Sequence, residues 1–91
     1  VLVRSDKNGN LWMTSSEVNH AVLVLDKAGA WHRLDIEQLR GVYTINDILI
    51  TSTNDKWIYV PRNTPKLVMI PNSESLDEVS SYEFTTLIEK N

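Results

Sequence analysis

Trp12 and Trp57 stand 45 residues apart at the heads of similar stretches, and this spacing limits the fold more than any other feature. Asp6-Lys7-Asn8-Gly9-Asn10-Leu11-Trp12-Met13-Thr14 is laid out like Thr51-Ser52-Thr53-Asn54-Asp55-Lys56-Trp57-Ile58. Val3-Arg4-Ser5 and Ile48-Leu49-Ile50 precede them at the same offset. A second block agrees in register: Ala21-Val22-Leu23-Val24-Leu25-Asp26 falls on Lys66-Leu67-Val68-Met69-Ile70-Pro71 without a gap. Two separated blocks in one register make an internal repeat rather than chance hydrophobicity. A period of about 40–50 residues belongs either to propeller blades or to helical arrays. The repeated elements here are short, β-branched and aromatic, which suits strands.

The sequence therefore predicts an all-β chain. It is a β-propeller fragment of about two four-stranded antiparallel blades plus the first strand of a third. Blade one spans about residues 1–40 and blade two about 41–80, with the start of the next blade at 81–91. In blade one the strands are expected at 1–5, 11–15, 21–25 and 30–34, with Asn8-Gly9 as a two-residue hairpin turn. Ala21 to Leu25 is apolar at every position, as in a sheet covered on both faces. Asp35 is a candidate cap for a single helical turn through Glu37, Gln38 and Leu39, stopped by Gly41. In blade two, strands are expected at 48–52, 57–60 and 66–70, with Pro61 and Pro65 bracketing a loop. The fourth strand is expected near Leu76 to Val79 and the next blade's first strand at Phe84 to Glu89. Leu76, Val79, Phe84 and Leu87 also fit a helical spacing, and Ser75 with Glu78 could form a capping box. Leu87 to Asn91 resembles Arg4 to Asn8, and Val1 begins inside a strand, so the chain is read as a piece of a longer protein.

Composition removes several classes. Nine Lys/Arg against twelve Asp/Glu give a net charge of −3 with no basic cluster, so neither nucleic-acid binding nor adhesion to anionic lipid is indicated. The longest apolar runs are far shorter than the ~20 residues that span a bilayer, so no direct membrane insertion is expected. The absence of cysteine excludes disulfides and thiolate metal sites.

No cofactor, metal site or catalytic residue is assigned. Asp6-x-Asn8-x-Asn10, with Glu17 at the twelfth position, has the opening of a calcium loop. Leu11 stands where the flexible glycine should be, and Trp12 where a backbone ligand is wanted, so a turn is the better reading. His20 and His32 lie twelve apart with no carboxylate pattern to complete a metal pair or to support a general base, and both are read as structural or surface residues. No Gly-x-Ser-x-Gly elbow or phosphate-cradling glycine loop occurs. Trp12 and Trp57 are expected to pack between blades rather than to stack on a flat ligand. Arg62 and Tyr59, at the end of the second strand of blade two, are the candidate rim contacts for a ligand.

Residues 6–14 resemble the repeat of two-component regulator propellers, whose Asp-x-x-Gly-x-x-Trp-x-Gly-Thr signature is matched by Asp6, Gly9 and Trp12. Thr14-Ser15 stands at the family's Gly-Thr. The second copy keeps Trp57 but has Thr51, Asn54 and Tyr59-Val60 at the other signature positions. The resemblance implies the periplasmic or extracellular sensor half of a bacterial hybrid histidine kinase, responsive to a glycan or small molecule. In that setting this segment is not an enzyme, and the kinase lies elsewhere in the parent chain. Trp57-Ile58-Tyr59-Val60-Pro61-Arg62 also resembles propellers of surface components of the type IX secretion system. A Gly9, Trp12, Thr14 pattern resembles streptogramin-lyase propellers, the enzymatic alternative. Two blades cannot close a ring, so either self-association or the remaining blades of a parent propeller are the expected partners.

Overall fold

The computed structural model describes residues 2–17, 20–40, 45, 47–61, 65–73, 75–77 and 79–84. They form two four-stranded antiparallel sheets, each a simple meander. Sheet one runs β1 (Val3–Ser5), β2 (Leu11–Glu17), β3 (His20–Leu25), β4 (Trp31–Leu34). Sheet two runs β5 (Asp47–Ile50), β6 (Lys56–Val60), β7 (Lys66–Ile70), β8 (Tyr82–Phe84). The two-blade expectation holds. Trp12 pairs with Arg4 and Val24, and Trp57 pairs with Leu49 and Met69, so the 45-residue repeat is a repeat of position in the sheet.

Side chains alternate across a strand, so the pairing fixes which residues share a face. The front of sheet one carries Trp12, Val22, Val24 and Leu34. It packs on the back of sheet two, Ile48, Ile58, Val68 and Ile70, and all eight are buried in one cluster. The innermost strands β1 and β5 lie against each other, and Arg4 Nη2 reaches Asp47 Oδ1 at 3.1 Å across them. Ala21 and Val60, with Ile36 and Leu39 from the link between sheets, complete the buried cluster, and Leu76 and Val79 pack against it.

Four local expectations are corrected. The Asn8-Gly9 turn is not a two-residue hairpin. Asp6 N–H donates to Asn10 O and Gly9 N–H to Asp6 O, with positive φ at Gly9 alone. This is a turn closed by one left-handed residue, which tolerates Asn at the preceding position without strain. Residues 26–30 and 51–55 repeat it, with Gly29 and Asn54 in the left-handed place. The link holds a 3₁₀ turn at Glu37–Leu39 flanked by Ile36, with no side-chain cap. Asp35 instead grips Arg40 through two hydrogen bonds of 2.9 Å, because a carboxylate and a guanidinium match as a planar pair. The fourth strand of sheet two lies at Tyr82–Phe84, not near Leu76 to Val79. Described residues 75–77 and 79–84 contain no helix, so the helical alternative also falls there. Phe84, expected to open the third blade's first strand, is the last residue of β8, and Glu78 and residues 85–91 lie outside the described residues.

Candidate functional site

The turns of both sheets gather at one end of the molecule, and each is organised by a side chain in its first position. In the first turn Asp6 Oδ1 accepts from Asn8 N–H at 2.8 Å and Asn10 N–H at 2.9 Å. Its Oδ2 accepts from Asn10 Nδ2 at 3.0 Å and from the Trp12 indole Nε1 at 2.8 Å. The carboxylate thus folds the turn and fixes the indole, whose side chain is buried between the sheets.

Sheet two closes this unit. Lys56 is 2% exposed. Its Nζ lies 3.7 Å from Asp6 Oδ2 and 4.8 Å from the Trp12 ring centroid. The ammonium has both an anion and an aromatic face, the two partners that offset its removal from water. Burial alone would raise the Asp6 carboxyl, but the hydrogen bonds from Asn10, Trp12 and Asn8 outweigh it and hold Asp6 below the usual carboxylate range. Burial lowers the Lys56 ammonium, opposed by Asp6 and Asp55. The two oxygens of Asp6 are occupied by N–H donors, a geometry opposite to that of a cation-binding loop.

The second turn repeats the first with a different last residue. Asp26 Oδ1 accepts from Ala28 N–H and Ala30 N–H, each at 2.9 Å, and Asp26 Oδ2 lies 2.8 Å from His32 Nε2. His32 occupies in the second turn the place of Trp12 in the first. Its other ring nitrogen, Nδ1, lies 3.3 Å from Asp77 Oδ1 in the β7–β8 connection. The Asp26 hydrogen bond is the main reason the His32 imidazole is pushed above its ordinary pKa, with burial opposing and Asp77 adding. Asp26 is held low, first by His32 and then by the Ala30 and Ala28 amides.

The third turn uses Thr51, whose Oγ1 accepts from Asp55 N–H at 3.0 Å. Asn54, left-handed at φ 65°, ties the turns together. Its Oδ1 accepts from Lys7 N–H at 2.8 Å, and its Nδ2 donates to Asn72 Oδ1 at 2.8 Å. Asn72 N–H in turn donates to Asp55 Oδ1 at 2.9 Å. Between the first two turns, Ser73 and residues 75–77 lies an open cleft of about 590 Å3, bordered by Asn10, Asp26, Lys27, His32, Ser75 and Asp77. Its lining mixes charged, polar and apolar side chains, and among the described residues it includes no Trp, Tyr or Phe.

Of the two residues expected at a ligand rim, Tyr59 sits half-buried on the front of sheet two, paired with Asp47 and Leu67. Arg62 lies outside the described residues. The structure does not bring Tyr59 to the cleft. His32, expected like His20 to be a structural or surface residue, meets two carboxylates. The signal was present: Asp26-x-x-Gly29-x-x-His32 has the spacing of Asp6-x-x-Gly9-x-x-Trp12, at an offset of twenty residues. Among the described residues no group of His, Asp and Glu is arranged to hold a metal ion, and no helix is long and apolar enough to cross a membrane.

No family model matches the chain, and no curated protein sequence matches it. Among solved structures it is similar to PorZ of Porphyromonas gingivalis, an essential bacterial surface component of the type-IX secretion system, with a TM-score of 0.76 at 18% identity. The alignment covers 88% of this chain and 12% of PorZ, so the chain spans about an eighth of that protein's length.

Proposed function

We propose that the chain is a non-catalytic segment of a β-propeller in a bacterial surface component of the kind that serves type IX secretion. Its work in this reading is mechanical. It supplies two stacked sheets whose turn end is presented to a partner. The observation that carries the reading is the likeness of nearly the whole chain to one eighth of PorZ. An extracellular or surface location follows from the same reading.

The chemistry of the turns agrees with a scaffold. Asp6 is spent on amide and indole donors, and Asp26 on amides and His32. Neither carboxylate is left to act as a base on a substrate. The periplasmic sensor reading rests on Asp6, Gly9 and Trp12. Those residues build a turn and a sheet contact, work that any propeller needs, so they give the sensor no advantage. We therefore favour the surface component.

The test is deletion of the segment encoding residues 1–91 from the parent gene in its own bacterium. Expected results are retention of exported proteins inside the outer membrane and labelling of the intact parent by a membrane-impermeant reagent. Normal export combined with loss of a ligand-induced transcriptional response would replace this reading with the sensor.

A further inference from the structure

The two outer faces of the molecule are largely apolar, with Asp47 at the margin of one and Ser5 and Arg33 on the other. On the front of sheet two, Leu49, Trp57, Tyr59, Leu67, Met69 and Phe84 share one surface. Leu49 is 62% exposed and Phe84 37% exposed, and the Trp57 and Phe84 rings lie 5.4 Å apart. On the back of sheet one, Val3, Leu11, Met13, Leu23, Leu25 and Trp31 share another, with Trp31 60% exposed. Exposed apolar faces of this extent mark interaction sites.

The repeat identifies what fits them. A shift of 45 residues carries the back of sheet one onto the back of sheet two: Val3 onto Ile48, Met13 onto Ile58, Leu23 onto Val68, Leu25 onto Ile70. The same shift carries the front of sheet one onto the front of sheet two, Trp12 onto Trp57. The contact already made inside the chain, front of one sheet on back of the next, can therefore be made again between copies. At the centre of the contact the two faces depart from the pattern together. Inside the chain, Lys56 lies over Trp12 and is neutralised by Asp6. At the outer faces Leu11 stands in the place of Lys56, and Thr51 in the place of Asp6. A buried lysine needs its carboxylate, and a buried leucine needs none.

We propose that the chain associates head to tail with a second copy, the front of sheet two receiving the back of the copy's sheet one, with the copy's Leu11 over the Trp57 indole. This rests on the stacked-blade reading above. The contact is heterologous, so each added copy leaves one face of each kind open, and growth continues until a ring closes or a filament forms.

The test uses the full 91-residue chain and two substitutions that unmatch the contact from opposite sides. Leu11→Lys places an ammonium over Trp57 with no acid beside it. Thr51→Asp places a carboxylate beside an apolar partner, while its side chain can still accept the Asp55 amide as Asp6 accepts that of Asn10. Light scattering and sedimentation across a concentration series should show the native chain above the mass of one copy. Each variant alone should associate about tenfold more weakly or worse. An equimolar mixture of the two should regain native association, because the ammonium introduced at position 11 of one copy then meets the carboxylate introduced at position 51 of the other. Circular dichroism of each variant should keep the native β signal. A native chain that stays monomeric at millimolar concentration would overturn the proposal, and so would variants that associate as well as the native chain. A mixture of folded variants that fails to recover would do the same. A monomer would leave the surface-component reading standing, since that reading is decided by export in the bacterium.

Discussion

Asp6 and Asp26 begin turns with the same hydrogen bonds and the same spacing, yet one ends in a sealed unit and the other in an open one. Asp6 has a side chain wholly out of solvent, an indole on one oxygen and a lysine from the next sheet behind it. Asp26 has a side chain 21% exposed, an imidazole on one oxygen and the cleft in front of it. The difference lies in what covers each turn, not in the turn itself. Lys56 of the next sheet reaches the first, whereas the second, at the outer strands, has the β7–β8 connection beside it through Asp77. A local motif therefore sets the local geometry, and the neighbouring sheet decides whether the same carboxylate is a structural rivet or a titratable clasp.

The largest effect should come from breaking the sealed unit. Asp6→Ala removes the acceptor of two turn amides and of the indole, and leaves Lys56 buried without a counter-charge. Losing one partner of a buried pair costs about 3–5 kcal/mol. For a chain of this size that is a large share of the expected total stability. Urea unfolding should show a midpoint lowered to the edge of the native state, and the indole N–H resonance of Trp12 should lose its downfield position. Asp26→Ala, measured in parallel, should produce a clearly smaller fall, because water reaches the amides it leaves behind. Equal falls would remove the distinction between the two turns.

Next in size is Lys56→Met, which separates packing from charge. The methionine stem can follow the lysine path over the Trp12 ring, and Asp6 keeps its four N–H donors. The carboxylate left buried keeps these hydrogen bonds, so its cost is less than that of a buried charge with no partner at all. A loss below about 3 kcal/mol is expected, less than in Asp6→Ala. Thermal unfolding of the two single variants and the double variant measures how much of the Asp6 effect passes through Lys56.

How much of this was legible in the sequence follows the same division. The repeat was visible because Trp12 and Trp57, and the two apolar blocks at 21–25 and 67–70, recur in a single register, and register is what a sheet conserves in space. The kinship of Asp26 and Asp6 was equally written in the chain, but it ends in His32 rather than in a second tryptophan, so no large apolar residue drew attention to it. The His32–Asp77 contact could not be read, because it depends on where the long connection between Ile70 and Tyr82 lies. Tyr82–Phe84 escaped for a similar reason. It is a three-residue, exposed edge strand with a glutamate at its centre, and short edge strands carry little hydrophobic alternation.

Backbone conformation gives a third, smaller contrast. Gly9 and Gly29 both need a positive φ, at +87° and +93°. A Cβ on Gly29 meets nothing within 4 Å, and one on Gly9 meets only the Lys27 stem at 3.5 Å. Both Gly→Ala substitutions should therefore cost about 1–2 kcal/mol for the left-handed backbone alone. A clearly larger loss at Gly9 in chemical unfolding would mean that the sealed turn amplifies strain that the open one relieves.

The smallest expected effect on stability, and the sharpest on the comparison, is that of pH on the clasp. His32 faces Asp26 and Asp77, with Lys27 at the border of the same cleft. Its folded pKa is raised, chiefly by Asp26. The stabilisation is therefore complete below the ordinary histidine value of about 6.5 and is lost as pH rises through the higher folded value. Asp6 has the opposite sign. Its folded pKa is lowered, so its stabilisation is present above the ordinary value of about 3.9 and disappears as pH falls through the folded one. Between those limits stability should be flat. Above them it should decline slightly, together with the chemical shifts of the His32 ring and the Asp77 amide. Asp77→Asn should move the His32 midpoint down without touching the acid limb, because Asp77 acts only on the open turn. A His32 titration at the ordinary value in the native chain would show that the clasp does not form in solution, and the two turns would then differ only in burial.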